Sequence, residues 1–421
     1  MKTTLFSMAV AFLATLWMAV DAVGRQAWEN GFLQSPDGRF VASGVHTSLE
    51  IPLPPEGISL RQAVTLKVRA MDGKDVLTLR IKEAKEPYQV SYGYVDLAWS
   101  PDSRRIACRN GGDLTIVDIS TKEGKTISLS ASSFRWLDSS QIVHVSRNNS
   151  VVRVSVTTGR SEDLYLAHTP DEFHSSTSPY HNQISPDCRL YVFMDDVAIN
   201  ILDLQKKAVV RSLKRAVKPA FCWWNDKSDL CLINGLAEVK TGKAPPEDTG
   251  FLDVVYLFRR ETGEFEELTD KLRMLNGNPD NTPRPDAPSR VWFSDGVSFL
   301  VDGCIDKKNP RPDDFGYVTK HWACHPAPWS ALCVQEVGGL EFEAPSISPH
   351  GEYLMMNKAK RQAYCDGDWY LFKFSNDAQG KPQLTKPVKV LSSNSGERFW
   401  SSDGKRLITF NHGRFTVHDL P

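Results

Sequence analysis

The feature that most constrains this chain is a bend that returns eight times between residue 35 and residue 404. Its fullest copy lies in residues 97–120, where a short apolar run ends in Trp99 and is followed by Ser100-Pro101-Asp102-Ser103. A second apolar run, residues 106–108, and a third, residues 114–119 with a polar stop near Asp118, complete the unit. Proline at the second turn position has its φ preset, Ser and Asp side chains bond nearby amides, and Gly or Ser at the fourth position tolerates the exit geometry. Two strands joined this way form a hairpin, and the Asn110-Gly111-Gly112 turn adds a third strand.

The bend returns as SPDG at Ser35, SPDC at Ser185 and SPHG at Ser348, and in reduced form at Leu137, Trp224, Phe293 and Ser401. Asp102 to Asp118, Asp187 to Asp203 and Asp403 to Asp419 each span 16 positions, which fixes the length of the hairpin that follows the bend. A Trp precedes or opens the turn at Trp99, Trp136, Trp224, Trp292 and Trp400, a regularity that speaks for packing. Repeats of about 40 to 50 residues with four strands each predict an all-β fold, a β-propeller of four-stranded antiparallel blades. Eight blades are expected, or seven if one unit is misread.

These units, with their Val-Asp, Leu-Asp and His-Asp strand ends at Asp118, Asp203 and Asp419, resemble the blades of TolB-like and WD-repeat propellers. They also resemble the propeller lid of prolyl oligopeptidase-class enzymes. The resemblance covers nearly all of the chain and implies a fold used in binding scaffolds, in non-catalytic lids and in some lyases. A hydrolase domain beside such a lid needs roughly 200 to 250 further residues, so a peptidase of that class is excluded.

At 421 residues with a formal net charge of −1, the chain fits one propeller and offers no basic tract for nucleic acid. Lys2, the apolar residues 5–20 and Val20-Asp21-Ala22 read as a signal peptide over residues 1–22, leaving residues 23–421 as a single propeller domain. No later stretch is apolar enough to span a membrane, so a secreted or periplasmic protein is expected. An exported chain with eight cysteines permits disulfides. Cys222 and Cys231 lie symmetrically about a turn centred on Asp226-Lys227, which in an undistorted hairpin sets their Cβ atoms about 5 Å apart. Cys324 and Cys333 have the same separation.

Long connections are expected at residues 45–63, where Pro52, Pro54, Pro55 and Gly57 argue against a strand, and at 167–181, 235–250, 275–288, 302–315 and 358–367. In a propeller these open at one end of the blades and the tight bends at the other, so the binding surface is expected at the long-loop end. The eighth unit lacks a fourth strand, and residues 25–29 are expected to complete it. Two clusters are the candidate binding residues. His168, His174 and His181 share one polar loop, but their spacings of six and seven match no standard ligand pattern, so no metal and no cofactor is assigned. Tyr317, Trp322 and Trp329, near His321 and His325, offer rings for stacking on a sugar or gripping a protein, or else fill space between blades. No G-x-S-x-G, H-E-x-x-H, P-loop, G-x-G-x-x-G or C-x-x-C motif is present, and no catalytic residue is assigned. The sequence reads as an exported scaffold that binds a protein or glycan. The alternative is a polysaccharide lyase or hydrolase with a metal or acid/base site in the loops.

Overall fold

The computed structural model describes residues 26–420 except 54–56, 84–95, 111–112, 129–130, 147–149, 167–182, 195–197, 215–216, 241–248, 277–290, 307–316, 339–341, 359–366 and 393–395. Blade one is β1 (Gln26–Gln34), β2 (Phe40–Leu53), β3 (Gly57–Ala70) and β4 (Asp75–Glu83), and blade two is β5 (Asp96–Trp99), β6 (Arg105–Asn110), β7 (Asp113–Asp118) and β8 (Gly124–Ser128). Blade three is β9 (Ala131–Trp136), β10 (Gln141–Ser146), β11 (Val151–Ser155) and β12 (Ser161–Tyr165). Blade four has β13 (Leu190–Met194), β14 (Ala198–Asp203) and β15 (Ala208–Lys214), with its inner strand reduced to a bridge between Ile184 and Tyr191. Blade five is β16 (Val217–Trp224), β17 (Leu230–Lys240), β18 (Thr249–Arg259) and β19 (Glu264–Glu267), followed by helix α1 (Thr269–Asn276). Blade six has β20 (Phe299–Asp306), β21 (Tyr317–Pro326) and β22 (Trp329–Cys333), an inner bridge between Trp292 and Phe299, and the short helix α2 (Val334–Gly338). Blade seven is β23 (Phe342–Ile347), β24 (Tyr353–Lys358) and β25 (Trp369–Asn376), with β26 (Pro382–Leu384) and β27 (Val388–Leu391) both paired to β25. Blade eight is β28 (Glu397–Trp400), β29 (Arg406–Asn411) and β30 (Arg414–Asp419).

Each sheet is an antiparallel meander in sequence order, and together they make an all-β, eight-bladed β-propeller. Two compact units divide the chain: Met1–Leu129 with blades one and two, and Ser130–Pro421 with blades three to eight. Among the described residues no helix is long and apolar enough to cross a membrane.

Apolar runs form the middle strands because both of their faces are covered. β10 and β24 are buried at four consecutive positions, while the outer strand β15 is exposed at five of seven. Within unit one, Ala42, Leu66, Val68 and Leu77 of blade one meet Trp99, Ile106 and Val117 of blade two. In unit two each successive seam is filled in the same way; between blades five and six, for example, Leu230, Leu232 and Leu257 pack on Phe299, Val301 and Trp322.

The bends fold as expected and do more than turn. In blade two the Ser100 hydroxyl donates to Asp102 Oδ1 at 2.6 Å and accepts from Arg105 N at 2.9 Å, and blades one, four and eight repeat the pair. The fourth turn residue has a left-handed φ, 74° at Gly38 but also 60° at Ser103 and 61° at Ser228, where a side chain carries a strain of about 1 kcal/mol. The serines have a use for it. Ser103 Oγ accepts from Asp37 N of blade one, and Ser228 Oγ from Asp187 N of blade four, so the strained residue fastens its bend to the preceding one. The turn-associated indoles do likewise: Trp99 donates to Leu33 O, Trp224 to Gln183 O, Trp292 to Trp223 O and Trp400 to Ser346 Oγ, at 2.9 to 3.2 Å.

Several expectations are corrected. Residues 45–53 and 57–63 are strand and not loop, because β2 and β3 stay in register from Phe40↔Ala70 to Leu53↔Gly57, and Pro52 is held at the penultimate pair, close to the hairpin end. The segment meant to complete blade eight belongs instead to blade one, with Gln26 to Glu29 pairing Ser48 to Val45. Blade eight has three strands among the described residues. The fourth strand of blade six is β22, and residues 334–338 form α2. Helix α1 was not expected; Leu268 and Leu272 are buried four residues apart, and the Thr269 hydroxyl at its start accepts from Val255 N.

The cysteine geometry also differs. Cys222 pairs with Ile233 and Cys231 with Trp224, while Cys324 pairs with Ala331 and Cys333 with Trp322. Each hairpin is centred one residue away from the symmetric position assumed, so each pair is diagonal, where Cα atoms lie about 7–8 Å apart, beyond the usual disulfide span. All four are buried free thiols, and burial pushes the Cys231 and Cys324 thiols far up.

Candidate functional site

In every blade the tight bends and the connection between second and third strands lie at opposite ends of the sheet. Three blades extend the second end into long hairpins. β2 and β3 have 14 residues each, about 46 Å of strand, and β17 and β18 have 11 each, running from Leu230↔Arg259 to Lys240↔Thr249. β20 and β21 pair as far as Asp306↔Tyr317. The residues expected in loops at 235–250 and 302–315 therefore belong in part to these ladders.

Below the hairpins lies a level of buried polar groups. Arg109, Asp302 and Asn357 stand nine residues after Ser100, Phe293 and Ser348, and Asn234 nine after Asn225, the first residue of the turn that follows Trp224, a spacing by which the sequence could have revealed them. In unit one Arg109 is buried and paired with Asp96, its direct cross-strand neighbour, with Nε donating to Asp96 Oδ2 at 2.7 Å. Burial pushes the Asp96 carboxyl up to about 6, against the pull of the Arg109 guanidinium. Burial and the Asp96 charge push the neighbouring Cys108 thiol up to about 12.

In unit two Asn234 and Asn357, at the corresponding positions, each have a side-chain oxygen without a partner among the described residues. Asn234 shares the face of Leu230 and Leu232 toward blade six, and its Oδ1 is buried with no hydrogen bond. Asp302 and His321 are direct cross-strand partners, two residues beyond Leu300 and Ala323, on the face that packs against blade seven. His321 is 1% exposed, and among the described residues neither ring nitrogen reaches a hydrogen-bonding partner. Burial pushes its imidazole down to about 4, and the backbone of Phe342 offsets only part of that. Gln335 of α2 braces the same strand, accepting from His321 N at 3.0 Å and donating to Thr319 O.

Asn357 and Trp369 are likewise direct cross-strand partners. They face blade eight with Met355 and Leu371, and are 2% and 4% exposed with Asn357 Oδ1 and Trp369 Nε1 unpartnered. The Arg398 guanidinium of blade eight lies 3.8 Å from the Trp369 ring centroid. Asp368 beside them is paired to Lys389 at 2.8 Å.

Of the candidate residues named from sequence, His168, His174 and His181 lie outside the described residues, as does the side chain of Tyr317, whose backbone opens β21. Trp322 is no rim residue: it is 5% exposed and fills the seam between blades five and six. Trp329 is half-buried at the edge of that seam, with the Lys271 ammonium 5.6 Å from its ring centroid. The structure thus sets Trp322 and Trp329 in one cluster, as packing rather than as an exposed platform. Among the described residues no three His, Cys, Asp or Glu side chains gather as a metal site.

By fold and site the protein is a β-propeller with long hairpins over buried, partly unpartnered polar groups. No family model matches the chain, and no curated protein does. Solved structures similar to it include Kuenenia stuttgartiensis hydrazine synthase, at 13% identity over 79% of this chain and 98% of that one, with a TM-score of 0.41. Another is the β-propeller domain of Myceliophteria thermophila Cps50 (Swd1), at 11% identity over 94% and 99%, TM-score 0.41. A chain of the mitotic checkpoint complex has 11% identity over 94% and 95%, TM-score 0.40. At these values the likenesses carry no functional argument.

Proposed function

We propose that this chain is an exported binding scaffold, with residues 23–421 as one propeller domain of TolB-like or WD-repeat-like blades, and that it grips a protein ligand at the hairpin ends. The observation that carries this reading is the contrast between the two ends of the blades. The bends are short and mutually hydrogen-bonded, while in unit two the opposite end projects ladders of up to 11 residues per strand beyond buried polar atoms without partners among the described residues. Rigid frames with elaborated connections at one end are where binding usually resides. A glycan ligand is the neighbouring form of the same proposal. An enzyme finds less support: the titratable pair Asp302 and His321 includes an imidazole sealed from solvent.

Replacing the distal part of the β17–β18 hairpin, residues 236–253, by a two-residue turn tests the reading on the purified mature protein. Loss of the captured ligand, with an unchanged urea midpoint, is the expected result. Equal capture by the shortened protein, or capture lost on altering the bends instead, refutes it. Export is tested by N-terminal sequencing of the secreted protein, expected to start near Val23.

A further inference from the structure

We propose that the outer edge of β30 in blade eight is a docking site for an extended segment of another protein, which adds to the sheet as an antiparallel fourth strand with a basic residue opposite Asp419 and an acidic residue opposite Arg414. The inference goes beyond the hairpin-end reading, because this edge is the outer side of a blade and not one of the long connections. Among the described residues the third strand of every other blade bears at least one further strand, whereas β30 pairs with β29 alone. Alternate residues of an antiparallel strand turn their N–H and C=O groups outward, so an edge of this kind is a template for one more strand. Among the described residues, 414–419 make no polar or ring contact beyond the ladder to β29, the packing of Phe415 on Phe399 and Phe410, and the 3.0 Å approach of His418 Nε2 to Thr409 Oγ1.

Charge and shape say what the added strand is made of. The middle of the edge, Phe415, Thr416 and Val417, is uncharged, and Val417 is 44% exposed. Its two ends, Arg414 and Asp419, are exposed, and neither makes an ion pair among the described residues. Arg406, the cross-strand neighbour of Asp419, turns to Asp403 at 3.6 Å. An antiparallel segment meets Asp419 with its first residue and Arg414 with its sixth, so opposite charges in those two places fix direction and register together. Beside the edge, toward blade seven, lies a groove of about 410 Å³ lined by Val388 and Val390 of β27, Leu407 of β29, and His418, Asp419 and Leu420. Lys389 on the same wall already pairs with Asp368. His418 is the cross-strand partner of Leu407, which packs with Met355 and Leu371 of blade seven. The residue opposite His418 therefore points into the groove and should be apolar, while β-branched residues suit the places opposite Val417 and Phe415, and threonine the place opposite Thr416. A second copy of this chain is the poorer occupant. Two edges paired about a two-fold axis set residues of the same face opposite each other, and Arg414 and Asp419, five positions apart, lie on opposite faces.

The test is titration of the full chain with the acetylated and amidated peptide Lys-Val-Ile-Thr-Val-Glu, read by fluorescence anisotropy of a dye-labelled copy and by hydrogen exchange of the outward amides of β30. Binding with slowed exchange within residues 414–419 is expected. The peptide with proline in place of both isoleucine and threonine should not bind, and the charge-reversed Glu-Val-Ile-Thr-Val-Lys should bind about tenfold more weakly. The double variant Arg414→Glu with Asp419→Lys changes two exposed side chains, so it should keep its urea midpoint and reverse that preference. Shortening the β17–β18 hairpin should leave peptide binding unchanged, which separates failure here from failure of the hairpin-end reading. Equal binding of the proline peptide, a charge preference that does not follow the swap, loss of binding on shortening, or protection confined to other strands overturns the proposal. Slow exchange of the outward β30 amides in the free chain also overturns it, with the edge covered by a second copy if sedimentation gives a dimer and by another segment of this chain if it gives a monomer.

Discussion

His321 should act as an acid-sensitive weak point of blade six, and the structure sets the size of the effect. The imidazole is 1% exposed, has no hydrogen-bonding partner at either nitrogen among the described residues, and is held near 4 where 6.5 is ordinary. A folded-state value below the unfolded one means that the fold holds the neutral ring. The associated stability is complete above 6.5 and is lost as pH falls from 6.5 toward 4. The full gap corresponds to about 3 kcal/mol, of which about 2 kcal/mol is gone by about pH 5. Asp302, the direct cross-strand neighbour, is the other titratable residue of that ladder pair, and Phe342 and Gln335, which also lie against this strand, do not ionise. His321→Leu removes the titration and two unpartnered nitrogens together. It should equal or exceed the wild type in stability at about pH 8, and its advantage should widen by about 2 kcal/mol at about pH 5. Urea denaturation of both proteins across that range reads the difference directly, because every other titrating group cancels. Parallel stability profiles, or an imidazole titrating near 6.5 by NMR, would falsify the argument and imply that Asp302 reaches the ring.

Three further outcomes follow from the staples and the buried pair. Ser228→Ala keeps the left-handed strain and loses the acceptor for Asp187 N, so it should cost about 1–2 kcal/mol in thermal unfolding, whereas Ser228→Gly relieves the strain and should cost less. Gly351→Ala combines a φ of 75° with a Cβ that meets the Phe293 and Ser294 backbone, and should cost about 3 kcal/mol or more; a near-neutral effect would show that blades six and seven are not fastened there. Asp96→Asn removes the carboxylate paired with the buried Arg109 cation and should cost about 3–5 kcal/mol, most of which the double replacement Asp96→Leu with Arg109→Met restores. A double variant as unstable as the single one contradicts that account.

The blades were legible because the bend is local chemistry. Serine, proline and aspartate in four consecutive positions specify a turn whatever surrounds them, and all eight positions fold as hairpin turns. The serine at the fourth position was read only as tolerating the geometry, since its bond to the preceding bend depends on a residue 41 or 66 positions away. The hairpins were missed for the opposite reason. Prolines at 52, 54 and 55 are strong local signals against a strand, and the continuous register that overrides them through Leu53 is a property of the pairing. The cysteine pairs failed by a single step in register, because the hairpins are centred one residue away from the assumed turn centres. As for the site, Trp322 was visible as an aromatic but not as a buried one. Asn234, Asp302 and Asn357 share an offset from the bend that carries meaning only once the bends are known to align the blades.

In blades five to seven the two ends of the sheets differ in how completely the described polar groups are satisfied, and the proposed binding end is the less satisfied one. At the bends, aspartate carboxylates meet hydroxyls, amides and, at Asp187, the Arg260 guanidinium at 2.6 Å, and Asp187 is held below the ordinary carboxylate range despite partial burial. That chemistry is spent on holding blades together, and little of it remains for a partner. At the hairpin end of blades five, six and seven, Asn234 Oδ1, both nitrogens of His321, Asn357 Oδ1 and Trp369 Nε1 carry desolvation costs of about 1–3 kcal/mol each with nothing in the described structure to offset them. Ser330 Oγ, beside the β21–β22 turn at the bend end, also lacks a partner among the described residues, but at the hairpin end such groups recur at one level in three successive blades, as the proposed ligand-binding end requires.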